Sequence, residues 1–312
     1  MFFNNRSQEI TIPEFLACRE KICVYRGVGG LGDILAMRMI FEDLKKQYPN
    51  FKITWVVPYR FFAAAQKHPF VDEVIHPDSY KKSDYIETFD ITTPCGRYEV
   101  IHKNKAPKNR SDIWANHFGL ELTTHNMHMP SYSDLFPVLE QKLKDKGWDG
   151  RKKLVAFAPR SAMALKNMTF EQCEAVKNMT KDFFLFILHS APILEIDSLK
   201  IPGLYNLSLA EALAAVERCD YMIGTDTGLL HAAGGYKKPS MGTFGFVDGF
   251  VYCKYYPTVR VIQLHFKDID NWCGPCWDYP RCPHQTKDPI KPCQSQITPK
   301  ILEENWLSLL NT

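Results

Sequence analysis

The sequence predicts an α/β protein made of two doubly wound parallel-sheet halves. Three observations predict it. Apolar runs of strand length alternate with helix-like segments in both halves. Each half carries a Gly-rich turn that leads directly from a strand into a helix. The 312 residues suffice for one large or two medium domains of this class.

Composition narrows the function classes. A hydrophobic content of 45% and a charged content of 23% are those of an ordinary globular chain. The net charge of +3 neither demands nor excludes a nucleic-acid partner. No apolar run approaches the roughly 20 residues of a membrane span. The start, Met1-Phe-Phe-Asn-Asn-Arg6, lacks the long apolar core of a secretory signal, so the expected location is cytoplasmic.

In the first half, Lys21–Tyr25 is the first strand. The turn Arg26-Gly-Val-Gly-Gly-Leu-Gly-Asp33 follows, then an amphipathic helix from about Ile34 to Tyr48, with Leu35, Met39, Ile40 and Leu44 at helical spacing. These glycines fit G-x-G-x-x-G only out of register, and the next strand, Ile53–Val57, ends in Pro58 rather than in a ribose-binding acid. That argues against a dinucleotide-dependent dehydrogenase. A helix around Tyr59–Lys67 and strands at Asp72–His76 and Tyr85–Ile91 come next. Lys103–Arg110 reads as a basic loop, solvated surface with an acceptor-binding patch as the alternative. Ser111-Asp112 caps a helix through Phe118, residues 121–138 read as irregular, and Gln141–Lys153 as an exposed helix and linker.

In the second half, Leu154–Ala158 and Phe183–Leu188 are buried strands. The loop Pro159–Asn167 carries Arg160 and Lys166, and Thr169 caps a helix from Phe170 to about Met179. Leu204–Leu207 is a short strand, and Ser208 with Glu211 forms a capping box for the helix Leu209–Cys219. The strand Tyr221-Met-Ile223 then turns through Gly224-Thr-Asp-Thr-Gly228 into a helix starting at Leu229. Free N–H groups and the dipole of such a helix favour an anion, typically a phosphate. Asp226 or Thr227 can cap it, Gly228 allows close approach to the backbone, and His231 lies one turn in. Taken alone, the stretch is also accounted for by an ordinary strand–helix turn with a core-facing His, and Asp33 by a helix cap.

Two motifs occurring in the right order add a resemblance. Gly29-Gly-Leu-Gly-Asp33, and Gly224-Thr-Asp-Thr-Gly-Leu-Leu-His231 followed by Lys238-Pro239 and Phe244-Gly245, resemble the N- and C-terminal signatures of the ADP-heptose heptosyltransferases, glycosyltransferase family 9. The resemblance runs from about residue 21 to residue 311. It implies a GT-B fold, two Rossmann-like doubly wound domains facing across a cleft that holds the active site. The expected organisation is an acceptor-side domain at 1–140, a nucleotide-sugar domain at 150–299 with a Cys-rich loop at 271–294, and a last helix, 300–312, that returns to the first domain. It further implies inverting transfer from a nucleotide-sugar such as ADP-heptose, without a catalytic metal. By motif position, Asp33 would be the general base and Gly32 would lie at the donor. Lys166 would neutralise the donor phosphates, Asp226 would hold sugar hydroxyls, and Thr227 and Gly228 would offer backbone donors that His231 completes. The loop departs from the family pattern, Pro159-Arg160 standing where Pro-Gly is usual, and Arg160 can share the phosphate role. The acceptor would be lipopolysaccharide core, another glycan or a protein hydroxyl. Rival readings are a transferase using another nucleotide sugar or a modified nucleobase acceptor, and a binding protein without catalysis.

Cys273, Cys276, Cys282 and Cys293 form C-x2-C-x5-C-x10-C. This set suits a tetrahedral structural zinc or iron site, with His284 able to replace one ligand. Similar cysteine patterns occur in the family, including members that glycosylate autotransporter proteins and carry iron. The alternative is reduced, unliganded cysteines on a compact loop.

Overall fold

The computed structural model describes residues 2–3, 9–10, 20–102, 106–264 and 292–311. The chain divides into two compact units, the first of Met1–Tyr98 and Arg110–Pro130, the second of Glu99–Asn109 and Ser131–Thr312. No helix among the described residues is long and apolar enough to cross a membrane.

The first unit opens with two-residue strands β1 (Phe2–Phe3) and β2 (Glu9–Ile10), paired antiparallel. Its main sheet comprises β3 (Lys21–Tyr25), β4 (Lys52–Val56), β5 (Glu73–Ile75) and β6 (Glu87–Asp90), all parallel in the order β5-β4-β3-β6. Val24 is in register with Trp55 on one side and Phe89 on the other. Ile22, Val24, Ile53, Trp55, Ile34, Leu35, Phe41 and Leu44 are buried, so strands and helices share one core.

The expected helix from Ile34 to Tyr48 is two helices, Leu31–Met37 and Ile40–Gln47. Arg38 marks the break. Its N–H bonds back three residues to Leu35 O, and Met39 N does the same to Ala36 O, a tighter turn than the α-helix. The Arg38 side chain is fully buried and donates to the carbonyls of Met127, Ala64 and Ala65. Charge burial is tolerated here because backbone oxygens replace water. A helix at Pro94–His102 was not anticipated, since its apolar residues follow no helical stripe.

The second unit holds β7 (Leu154–Ala158), β8 (Phe184–Leu188), β9 (Gly203–Leu204), β10 (Tyr221–Thr225), β11 (Ser240–Thr243) and β12 (Val259–Ile262). They form one parallel sheet in the order β12-β11-β10-β7-β8-β9. Counted within the unit, this is the doubly wound order 3-2-1-4-5-6, and the first unit follows its first four places. The helix expected at Gln141–Lys153 instead runs Phe136–Asp145, because Pro137 starts it and Leu139 and Leu143 bury its apolar stripe.

The last helix, Pro299–Leu310, packs within the second unit. Leu302, Trp306 and Leu309 belong to the second unit's core, with Val155, Ile187, Ile223 and Met241. The Trp306 ring meets Phe183 and Tyr221 edge-on, at centroid distances of 5.2 and 5.3 Å. Three aromatic rings and an apolar sheet face decide where this helix packs.

Candidate functional site

In an open doubly wound sheet, the crevice for a ligand lies where the strand order reverses, outside the carboxyl ends of the strands. In the second unit that point is between β7 and β10. The loop after β7 carries Lys166 and the turn after β10 carries Asp226, and the two meet there. Lys166 Nζ lies 2.7 Å from Asp226 Oδ2. The contact is an ion pair rather than a well-directed hydrogen bond.

Local chemistry fixes both residues. The Lys166 loop closes on itself through Met168 N to Pro159 O at 3.0 Å and Ser161 N to Asn167 Oδ1 at 2.9 Å. Arg160 braces the same loop by donating to Met168 O. Thr225 Oγ1, on β10, donates to Lys166 O and so ties the loop to the strand. Asp226 N donates to Thr243 O at 3.2 Å, which holds the turn against β11. Lys166 Nζ also stands 5.7 Å over the Phe246 ring, a cation–π contact.

Asp226 is 4% exposed. Burial by itself would raise its carboxyl pKa, but Lys166 and then His231 outweigh that and hold it well below the usual carboxylate range. His231 Nε2 is 3.8 Å from Asp226 Oδ1, and His231 Nδ1 is 3.0 Å from the Tyr256 hydroxyl. The Tyr256 ring fits against the helix because residue 234 is Gly, where a Cβ would come within 2.6 Å of it. The expectation that Asp226 or Thr227 caps the helix is corrected. Thr227 occupies the N-cap position of Gly228–Gly235 without a side-chain capping bond, and the Asp226 carboxylate is taken by Lys166. No side chain caps the first-turn N–H groups of that helix, of which Leu230 N donates to Thr227 O at 3.0 Å.

The first unit's order reverses between β3 and β6. Arg26, just past β3, spans this point by donating Nη1 to Ile91 O at 2.9 Å. Its Nη2 pairs with Asp33 Oδ2 at 2.8 Å, and its guanidinium stands 5.0 Å over the Trp114 ring. Gly29 has φ +137, and a Cβ there would lie 2.7 Å from Arg26 Nε, so this glycine lets the loop close over the guanidinium. Asp33 Oδ2 also accepts from Gly30 N at 3.1 Å. Asp33 Oδ1 accepts from Arg110 Nη1. Burial pushes the Asp33 carboxyl up, but Arg110, Arg26 and the Gly30 N–H together hold it down at about 2.

Of the expected residues, the structure thus joins Lys166, Asp226 and His231, with Thr227 and Gly228 at the adjoining helix start. Asp33 and Gly32 lie together in the first unit, on the helix Leu31–Met37. Arg160 points into its own loop rather than away from it. Sequence reasoning missed Arg110, which it assigned to a solvated loop, and it missed Arg26, Phe246 and Tyr256. Arg26 had a signal, a basic residue at the strand end inside the Gly-rich turn. Arg110 had none. Cys273, Cys276, Cys282 and His284 lie outside the described residues. Cys293 is 9% exposed, and a Cβ at Gly245 would lie 3.1 Å from its sulfur. No group of three or more His, Cys, Asp or Glu able to hold a metal ion occurs among the described residues.

No family model and no curated protein matches this sequence. Solved structures do. The iron-containing dodecameric glycosyltransferase TibC from enterotoxigenic E. coli matches with a TM-score of 0.70 at 14% identity, over 94% of this chain and 78% of that one. A glycosyl transferase family 9 structure from Veillonella parvula matches with a TM-score of 0.64 at 16% identity, over 79% and 86%. The E. coli ADP-heptose lipopolysaccharide heptosyltransferase II matches with a TM-score of 0.57 at 13% identity, over 94% and 98%. TibC has also been solved in complex with ADP-D-beta-D-heptose. The two parallel sheets, of four and six strands, are thus the α/β fold of the GT-B heptosyltransferases.

Proposed function

We propose that this chain is a glycosyltransferase of the family 9 type. It moves a sugar, heptose in the first instance, from a nucleoside-diphosphate donor such as ADP-heptose to an acceptor hydroxyl, with inversion. The observation that carries the reading is the Lys166–Asp226 pair at the reversal point of the second sheet, beside a helix whose first turn lacks a side-chain cap. An ammonium has three donors, so Lys166 can keep Asp226 on one and present the others to a diphosphate. The first-turn N–H groups of Gly228–Gly235 add a second source of positive potential. Asp226 and His231 then supply acceptors and a donor for sugar hydroxyls. The likeness to glycosyltransferases, one of them solved with ADP-heptose, supports the same donor class.

In the proposed step, the acceptor oxygen attacks the anomeric carbon on the face opposite the diphosphate. The sugar–phosphate C–O bond breaks, its electron pair leaves with the nucleoside diphosphate, and the hydroxyl proton passes to Asp33. Leaving-group charge falls to Lys166 and the helix start, which need not reorganise during the reaction. Asp33 is ionised at working pH and so can accept a proton. The four cysteines, on their spacing, are proposed to hold a structural zinc or iron that folds their loop and takes no part in the transfer. The proposed location is cytoplasmic, where nucleotide sugars are available.

Calorimetry with ADP, UDP and their sugar conjugates tests the reading. We expect the adenosine forms to bind most tightly and Lys166→Ala to weaken them. Absence of binding by every nucleoside diphosphate would overturn it.

A further inference from the structure

Four buried polar side chains tie the two loops of the candidate site to a segment far from both in sequence. They are Thr225, Thr243, Gln172 and Gln294, none more than 1% exposed. Thr225 Oγ1 donates to Lys166 O and lies 3.3 Å from Thr243 O, which also accepts from Asp226 N at 3.2 Å. Thr243 Oγ1 in turn accepts from Gln294 Nε2 at 2.7 Å. Gln172 Nε2 donates to Gln294 O and to Ile297 O, each at 2.8 Å. Gln172 Oε1 accepts at 2.9 Å from the N–H of Thr169, three residues after Lys166. The bonds close a ring that leaves the Lys166 loop through Thr225 and returns to it through Thr243, Gln294 and Gln172. Two details set these glutamines apart from ordinary core residues. Gln172 completes the capping box of the helix Phe170–Met179, a task that glutamate performs as well. Only an amide can donate to two carbonyls besides. Gln294 Oε1 is buried with no hydrogen-bond partner. An orphaned oxygen costs free energy that an apolar side chain would not, so packing does not account for a glutamine here, while its bond to Thr243 does.

We propose that Gln294 is a positioning residue for the donor site. Through Thr243 it braces the Asp226 turn, and through Gln172 it braces the Lys166 loop, so both keep their places when a diphosphate draws on Lys166. The proposal rests on the reading of Lys166 and Asp226 as the donor-binding pair. An ion pair by itself holds only its two charged ends. A diphosphate competes with Asp226 for the ammonium, and as that attraction weakens the loops would follow their side chains unless the backbone is held independently. The ring does this. It grips Lys166 O, Asp226 N and the start of the helix after Lys166, and Nζ takes no part in it. A buried ring of this kind is stiff, because breaking one bond leaves its partners away from water. Groups held in place beforehand lose less freedom when the ligand arrives. The segment that carries Gln294 thus gains a part in the site, although it lies 51 positions beyond Thr243 and 122 beyond Gln172.

The test replaces the Gln294–Thr243 bond at both ends. Thr243→Val combined with Gln294→Met exchanges two bonded polar groups for apolar ones of similar size, a change that should leave stability nearly as it was. Amide exchange followed by NMR then reports on the ring without any ligand. The Asp226 N–H, bonded to Thr243 O, and the Met168 N–H, bonded to Pro159 O at 3.0 Å, should each lose protection roughly tenfold, about the worth of one hydrogen bond. The Met222 N–H, bonded to Pro239 O at 3.1 Å near the other end of the same strand, should keep its own. Thr243→Ser retains the oxygen and should exchange like the wild type. Gln294→Met alone, which also removes the orphaned oxygen, serves if the double variant is poorly folded. Calorimetry with ADP should show an affinity roughly tenfold lower in the double variant, the cost of ordering the two loops on binding. Unchanged protection at Asp226 and Met168 in the folded double variant would overturn the proposal. So would a loss that extends equally to Met222, or a local loss with the affinity for ADP unchanged. A local loss in a protein whose wild type binds no nucleoside diphosphate would keep the brace and remove the donor reading.

Discussion

Lys166, half-buried, and Asp226, buried, form an ion pair across the ends of two neighbouring strands, Nζ 2.7 Å from Oδ2. Neither residue is explained by packing. The pair costs desolvation that an apolar pair would not, and removing Lys166 would leave the buried Asp226 carboxylate without its cation. Its placement at the sheet's reversal point gives it a use.

The first prediction separates the two roles. Lys166→Ala should weaken ADP and intact donor alike, since it acts on the diphosphate. Asp226→Ala should weaken the intact donor more than ADP, since it acts on the sugar. Calorimetry with both ligands, on variants shown by melting to be folded, makes the comparison. Equal losses for both ligands in both variants would contradict the division.

A second prediction concerns pH. Asp33 and Asp43 are each held at about 2, below their ordinary 3.8. A carboxylate whose folded pKa is depressed stabilises the fold above its unfolded value and loses that contribution as pH falls through the folded one. Stability should therefore be flat near neutrality and fall between about pH 4 and pH 2, with Asp33→Asn showing a shallower decline. Urea midpoints at pH 6, 4 and 3 measure it. A decline as steep in Asp33→Asn as in the wild type would remove Asp33 from the account.

Trp306 supplies a third. It is 1% exposed and wedged between Phe183 and Tyr221. Trp306→Ala should destabilise the second unit by about 3–5 kcal/mol, while leaving the first unit's protection from hydrogen exchange intact. Uniform loss of protection throughout the chain would show that the helix is shared more widely than its packing indicates.

The cysteines supply a fourth. One zinc or iron per chain should copurify, and Cys276→Ser should lower its content and the protein's stability before it touches turnover, because metal binding and folding are linked. Protein prepared without added metal and carrying less than roughly a tenth of an ion per chain, with its thiols reactive, would leave plain reduced cysteines.

Much of the second unit was legible because its signals are local. Thr169 and Ser208 start their helices where capping chemistry places them, each with its partner three residues on. The strand–turn–helix around Asp226 could be read from apolar run, glycine and polar turn alone. What could not be read depends on distant partners. Arg110 pairs with a carboxylate 77 positions away, and no periodicity encodes that. Arg38 looks like an exposed helical residue until carbonyls from two other segments surround it. The last helix carries an apolar stripe that names no destination, and only the rings of Phe183 and Tyr221 decide it.

The measurement closest to the central claim is release of nucleoside diphosphate from a panel of nucleotide sugars, with and without candidate acceptors, by the wild type and by Asp33→Asn. The account predicts release from ADP-heptose above all, stimulated by acceptor. It also predicts a fall of ~10²–10⁴-fold in Asp33→Asn, with donor binding preserved. A wild-type protein that releases no diphosphate from any member of the panel, or an Asp33→Asn variant as fast as the wild type, would contradict it.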